Sequence, residues 1–285
     1  MSAALKATGR LTKKQKEAAL ALESWNMTTG SDDEVSARIA ERFGIVDYMI
    51  DECIAGECRA LVISGPAGLG KSFAVESAIE QFDPKGQQSA IIKGYVKPTG
   101  LFKLLFSHRH PGNVVVFDDA DSIFADDTAL NMIKAVTDTT ERRRVSYMSE
   151  AMLFDDDTNE KLPKTFEFEG TIIFITNLDF DALIDKGHKY APHLSAMVSR
   201  AHYVDLTMKT KQDYLVRIGQ VIDMGLLDSK GLNDIQKIEV WNWIVDHADT
   251  LRELSLRVAL KLADIVRGGK PNWSKVAETT LCRNR

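Results

Sequence analysis

Apolar residues fall along this chain in two textures, short unbroken runs and longer stretches with helical spacing. The runs are Ala60–Ser64, Ser89–Lys93, Val114–Phe117, Thr171–Thr176 and His202–Leu206, each of strand length and bounded by turn-forming residues. Phe73–Phe82, Thr99–Ser107 and Thr128–Thr139 lie between several of them and carry apolar residues at helical intervals, as does Glu34 to about Ala55. Strands without polar alternation, separated by amphipathic helices, are the pattern of a parallel sheet covered on both faces. Beyond Leu206 the strand pattern stops, and Lys209–Met224, Leu232–His247 and Leu251–Arg267 predict helices. The expected fold is therefore α/β: a parallel five-stranded sheet with flanking helices, followed by a small all-helical domain.

The boundaries follow from the same pattern. Residues 1–33 form a basic segment and linker. Five basic and two acidic side chains in residues 1–24 give a local +3, and Ala18, Ala19, Leu20 and Leu22 suggest a helix there. The linker from Thr28 to Asp33 ends in helix-capping residues. Residues 34–207 hold the sheet, and 208–285 the helical domain and tail. Arg142–Met148 and Lys164–Phe168 alternate like strands around the acidic turn Asp155–Asn159, predicting a hairpin insertion over about 143–169. The three arginines Arg142, Arg143 and Arg144 suit either phosphate contact or a solvated end with paired charges. The acidic turn lacks the Gly and terminal Glu spacing of a calcium loop.

Composition narrows the class. With 285 residues, 44% hydrophobic and 27% charged, the chain is long enough for a sizeable core and unlike a disordered one. A net charge of −5 is too acidic for a protein that coats nucleic acid by bulk charge. No apolar stretch is long enough for a transmembrane helix, and the basic start has no apolar h-region. Cys53, Cys58 and Cys282 cannot all pair with one another and make no zinc spacing with His. These features imply a reduced, cytoplasmic protein with no membrane partner.

Candidate chemistry sits where the strand runs end. After Leu61-Val62-Ile63 comes Gly65-Pro66-Ala67-Gly68-Leu69-Gly70-Lys71-Ser72, the Gly-x4-Gly-Lys-Ser pattern of a P-loop. Its glycines let the backbone curl with N–H groups turned inward onto phosphate oxygens, aided by the helix N-terminus that opens at Phe73. Lys71 would reach the β- and γ-phosphates and Ser72 would hold Mg²⁺. The buried run Val114–Phe117 ends in Asp118 and Asp119, 46 and 47 residues beyond Ser72. There Asp118 would organise the metal and Asp119 polarise the attacking water. Asp121 reads as surface charge or a cap. Ile172–Thr176 ends in Asn177, an amide suited to hold water near a γ-phosphate, and Arg200 precedes the last strand.

In order and spacing these pieces resemble the AAA+ ATPases over about residues 34–267. Gly65–Ser72 matches Walker A and Val114–Asp119 matches Walker B. Asn177 matches sensor 1, and Ser199-Arg200-Ala201 resembles the arginine finger of clamp-loader ATPases. The helical region matches the AAA+ lid, where Arg257 in Ser255-Leu256-Arg257 is similar to the sensor 2 arginine and Arg252 competes for that role. Asp119 departs from the family, which carries Glu there, so hydrolysis could be slowed. The resemblance implies ATP and Mg²⁺ as cofactors and an adenine near Phe43–Tyr48, with Ile45 against the base, between sheet domain and lid. It also implies a homo-oligomer, either a hexameric ring or an open spiral. The loop of Tyr95, Val96 and Lys97 would then line a central pore, gripping peptide by Tyr95 or nucleic-acid backbone by Lys97.

Three function classes follow. The first is an ATP-hydrolysing oligomer that remodels a macromolecule, with nucleic-acid metabolism favoured by Ser199-Arg200 and the basic N-terminal segment, and protein unfolding as the alternative. The second is an ATP-gated assembly switch that barely hydrolyses, which Asp119 keeps open. A small-molecule P-loop kinase is disfavoured, since no acceptor site is evident.

Overall fold

A computed structural model describes residues 30–150, 152–155 and 158–283. The basic segment 1–29, with the helix expected around Ala18–Leu22, lies outside the described residues. The chain divides into two compact units. One is built on the sheet and holds Ala40–Thr207 with Ser255–Arg257; the other is helical and holds Met208–Leu254, the chain from Val258 onward and the first described residues to Ile39. The start of the first long helix thus groups with the helical unit, not with the sheet as a boundary at residue 34 would have it.

In the sheet unit, β1 (Ala60–Ser64), β2 (Ser89–Lys93), β3 (Val114–Asp118), β6 (Thr171–Thr176) and β7 (His202–Asp205) form one sheet in the order β2-β3-β6-β1-β7. Every pairing is parallel. The three central strands β1, β3 and β6 are buried along their whole length, which is why their sequences are unbroken apolar runs. Helices α1 (Asp32–Ala55), α2 (Lys71–Phe82), α3 (Pro98–Ser107), α4 (Asp127–Val136), α5 (Phe180–Asp185) and α6 (Ala191–Val198) precede and connect these strands. Phe102, Phe117, Phe124, Phe174 and Phe180 fill the core on one side, with Phe117 and Phe174 stacked at 5.1 Å across β3 and β6. Register aligns Asp118 with Ile175 and Ser64 with Thr176, so the carboxyl ends of β3, β6 and β1 finish side by side. In an open parallel α/β sheet that edge is where ligands bind.

Local chemistry sets the helix boundaries. Ser31 and Glu34 bond each other's backbone N–H reciprocally, a capping box that starts α1. Asp126 caps α4, which ends at Val136, short of the expected Thr139. A short antiparallel hairpin joins β4 (Arg144–Ser146) to β5 (Thr165–Glu167). Its arginines divide. Arg142 and Arg144 are exposed, Arg144 pairing with Glu167 at 3.6 Å. Arg143 is buried, donates to the Val136 carbonyl at 2.9 Å and lies over the Phe168 ring, so it closes α4 and is not available to phosphate. Burial pushes its guanidinium down to about 10.

The helical unit carries α7 (Lys211–Asp223), α8 (Asp234–His247), α10 (Trp273–Leu281) and, from Val258 onward, α9 (Leu256–Arg267), whose first two residues belong to the sheet unit. Capping boxes Thr210–Asp213 and Asn233–Gln236 start α7 and α8. The helix expected from Leu251 begins only at Leu256, because Leu251 bridges to Cys282 and the Arg252 N–H is taken by the Leu281 carbonyl. All three cysteines are free and buried. Among the described residues no helix is long and apolar enough to cross a membrane.

Candidate nucleotide-binding site

The loop leaving β1 curls because three glycines take backbone angles that side chains resist: φ is +153° at Gly65, +75° at Gly68 and +97° at Gly70. Space forbids a side chain as well. A Cβ on Gly65 would fall 2.9 Å from the Leu206 Cβ, and one on Gly68 2.7 Å from that of Ser255. Gly70 leads into α2 with no side-chain cap, leaving the first-turn N–H groups to whatever anion sits before them. Leu69 is buried and anchors the loop from beneath.

Lys71, the first residue of α2, is 4% exposed. Its ammonium donates to the Gly65 carbonyl at 2.6 Å, the Pro66 carbonyl at 2.8 Å and Asn177 Oδ1 at 3.0 Å. Burial pushes it down to about 8, against the pull of Asp119 and Asp118, while Arg257 adds repulsion. Ser72 Oγ donates to Asp118 Oδ1 at 2.9 Å. The other Asp118 oxygen lies 3.4 Å from Lys93, which also pairs with Glu76. Asp119, one residue on, has φ +52° and donates its N–H to the Ile175 carbonyl at 3.0 Å. That left-handed turn reverses its carboxylate toward Asn177, whose Nδ2 donates to Asp119 Oδ1 at 2.7 Å. The Asn177 amide therefore bridges the ammonium and the carboxylate.

Gly68, Lys71, Ser72, Phe73, Asp119, Asn177 and Arg257 line one pocket, with Ala67, Gly70 and Ile175. Phe73 stands 75% exposed at its rim, an apolar surface beside the glycine loop. The donor set fits a triphosphate: the N–H groups of the uncapped first turn of α2, one ammonium and one guanidinium. Ser72 and Asp118 offer hard oxygens that suit Mg²⁺, an ion that keeps waters and phosphate oxygens as its remaining ligands. Among the described residues no group of three or more His, Cys, Asp or Glu could hold a metal ion by itself.

Other expected residues stand elsewhere. Arg200 is half-buried and outside this pocket, donating to the Ala196 carbonyl at 2.9 Å. Arg252 is exposed and also absent from it, unlike Arg257. Ile45 is 46% exposed on α1 and does not line this pocket. In the β2–α3 loop Tyr95 is 73% exposed and Lys97 exposed, while Val96 is buried against the core yet lines the same groove as its two neighbours. That groove, bordered by Lys103 as well, is separate from the pocket.

Four further residues adjoin the site. Asp121 is neither surface charge nor a helix cap: it is half-buried and accepts from Thr176 Oγ1 at 2.7 Å. Lys93 could have been found from its place at the end of β2, in register with Asp118. Ser255 closes over Gly68, and Leu256 donates its N–H to the Gly68 carbonyl at 2.9 Å; nothing in the sequence signals either contact.

No protein-family model matches the chain. It is 35% identical over 249 residues to the uncharacterized 36.7 kDa protein in the nrdC–mobD intergenic region of Enterobacteria phage T4, a match covering 87% of this chain and 75% of that protein. Solved structures similar to it include the Thermotoga maritima RuvB Holliday junction branch migration motor, 15% identical with TM-score 0.43, covering 83% of this chain and 68% of that one. NtrX from Brucella abortus in complex with ADP is 14% identical with TM-score 0.48, covering 81% and 52%. The replication initiator DnaA bound to AMPPCP and single-stranded DNA is 12% identical with TM-score 0.49, covering 81% and 63%.

Proposed function

The chain belongs to the family of the phage T4 36.7 kDa protein, and from the site it carries we propose that it is an AAA+ ATPase that binds ATP with Mg²⁺, hydrolyses it, and works as an oligomer on a macromolecular partner in nucleic-acid metabolism. The observation that carries this reading is the Asn177 amide set between Lys71 and Asp119, 3.0 and 2.7 Å away, beside the Ser72–Asp118 pair. A plain anion site needs the ammonium and the backbone N–H groups; it has no use for a carboxylate held at the same point.

In the reaction, Asp119 takes a proton from a water whose oxygen attacks the γ-phosphorus, and the bond to the β-phosphate oxygen breaks to release ADP and phosphate. Asn177 orients that water and Lys71 balances the charge on the β- and γ-oxygens. Mg²⁺, held by Ser72 and Asp118, would neutralise charge shared between the phosphates. Arg257 would complete the triphosphate contacts. Arg200, which hydrogen-bonds its own helix end and lies near enough to Asp138 to hold that carboxylate's pKa down, would supply its guanidinium to the nucleotide of a neighbouring copy in a hexameric ring or open spiral. The exposed Tyr95 and Lys97 would meet the polymer in the pore; nucleic acid is the favoured occupant and peptide the alternative.

A slow, ATP-gated assembly switch is the second reading. It is favoured by Asp119, whose short side chain is committed to Asn177. Steady-state ATPase with and without single-stranded DNA, together with mass in solution with and without ATP, separates the two. The decisive variant is Arg200→Ala. It should bind ATP normally, lose turnover by about 10³-fold or more, and regain activity when mixed with Lys71→Ala subunits that still supply Arg200. Mixtures that stay inactive with subunit exchange verified would refute action in trans.

A further inference from the structure

Asp121 opens a 3₁₀ turn, Asp121–Ala125, directly after the two acids that end β3. It is a half-buried carboxylate with no role in the chemistry above, and burial pushes its pKa upward. A carboxylate withdrawn from water costs free energy unless its partners repay it. Its Oδ1 accepts the Thr176 hydroxyl at 2.7 Å. The same hydroxyl oxygen accepts the Leu178 N–H at 3.0 Å, and the Leu178 carbonyl accepts from Ser64 Oγ at 2.6 Å. The Thr176 carbonyl is engaged too, by the Gly65 N–H at 3.3 Å. Both neighbours of Asn177 are thereby tied to β1 and to Asp121.

A threonine hydroxyl has one proton. Because its oxygen is receiving the Leu178 N–H, that proton must find an acceptor elsewhere, and Asp121 is the acceptor present. We propose that Asp121 is a positioning residue that, through the Thr176 hydroxyl, sets the Asn177 amide between Lys71 and Asp119. It touches neither nucleotide nor water. Without it the Thr176 hydroxyl can rotate, the Leu178 N–H loses an oriented acceptor, and the amide leaves the line joining ammonium to carboxylate. The inference rests on the ATP-hydrolysing reading for its kinetic consequence but not for the geometry it describes.

The test uses the full chain, the four single variants Asp121→Ala, Thr176→Val, Asp121→Asn and Thr176→Ser, and the double variant Asp121→Ala/Thr176→Val. Affinity for a fluorescent ADP analogue with Mg²⁺, ATP turnover, and the side-chain amide NMR signal of Asn177 are measured for each. Losing one oriented hydrogen bond should lower turnover about tenfold in Asp121→Ala and Thr176→Val while affinity changes less than about twofold, and the Asn177 signal should move in both. Thr176→Ser keeps the hydroxyl and Asp121→Asn keeps an acceptor oxygen, so both should restore the parental signal and most of the turnover. The double variant Asp121→Ala/Thr176→Val should be no slower than either single one, since the two act as one link.

Parental turnover in both disruptive variants overturns the inference and leaves the ATPase reading standing. So does a loss that Thr176→Ser does not repair, or one matched by an equal loss of affinity. A parent without ATPase activity whose Asn177 signal still depends on Asp121 and Thr176 sinks the ATPase reading and leaves the positioning role. An inactive parent with an unmoved signal overturns both.

Discussion

Nucleotide affinity should fall steeply with pH above 8, and Lys71 should be the cause. Its ammonium is buried beneath the phosphate loop and its pKa is pushed down to about 8. A triphosphate at the loop would set negative charge beside it and draw the pKa back to its ordinary value of about 10.4 or above. Binding therefore takes up a proton wherever the free site has lost one. The sign is fixed: affinity is fully present below the free pKa and declines as pH rises from about 8 toward the bound value. The protonated fraction of a group with pKa 8 is about three-quarters at pH 7.5 and about one thirtieth at pH 9.5, so the dissociation constant should rise about 25-fold between them. Calorimetry with ADP, in buffers of different ionisation enthalpy at each pH, reads affinity and proton uptake together. Uptake should approach one proton per site near pH 9.5 and shrink toward pH 7. Lys71→Met should bind more weakly at pH 7.5 and show neither the slope nor the uptake. A dissociation constant flat across this range, in a protein that still depends on Lys71 for binding, would refute the depressed pKa. A flat profile unaffected by Lys71→Met would remove Lys71 from the phosphate site.

Asp119→Asn should bind ADP and Mg²⁺ within about threefold of the parent yet lose turnover by about 10²–10⁴-fold, because an amide cannot take the water's proton. Parental hydrolysis in this variant, followed by phosphate release, would assign the base to another residue. Arg143→Met tests a structural assignment in the opposite direction. It removes the bond to the Val136 carbonyl and the contact with Phe168, and should cost about 1–3 kcal/mol in urea unfolding with nucleotide affinity unchanged. A variant as stable as the parent that bound nucleotide or DNA less well would return Arg143 to a binding role.

How far this site was legible depends on which kind of neighbour each residue needs. Lys71, Ser72, Asp118, Asp119 and Asn177 each follow directly on an apolar run or on the loop that leaves one. Parallel pairing in register brings the ends of β1, β3 and β6 to one edge whatever the details of packing. Period and spacing therefore suffice to gather them. Val96 shows where that logic stops. Tyr95, Val96 and Lys97 are consecutive on a loop with no period, and only the core beneath decides that the valine turns inward while its neighbours face solvent. Arg143 fails for a related reason: three adjacent arginines look alike until the unpaired carbonyl at the end of α4 selects one.

Asp121 is the sharper case. It lies two residues beyond Asp119, but its meaning comes from Thr176, 55 positions away along the chain and one strand away in the sheet. A carboxylate in a turn after a strand is locally indistinguishable from a cap or a solvated charge. What sets it apart is the hydroxyl on the adjoining strand, and that pairing exists only because β3 and β6 are neighbours in the order β2-β3-β6-β1-β7. Residues proposed to act on the nucleotide can be read from strand ends. Those that hold such residues in place are defined by which strands adjoin, so they become legible only once strand order is known.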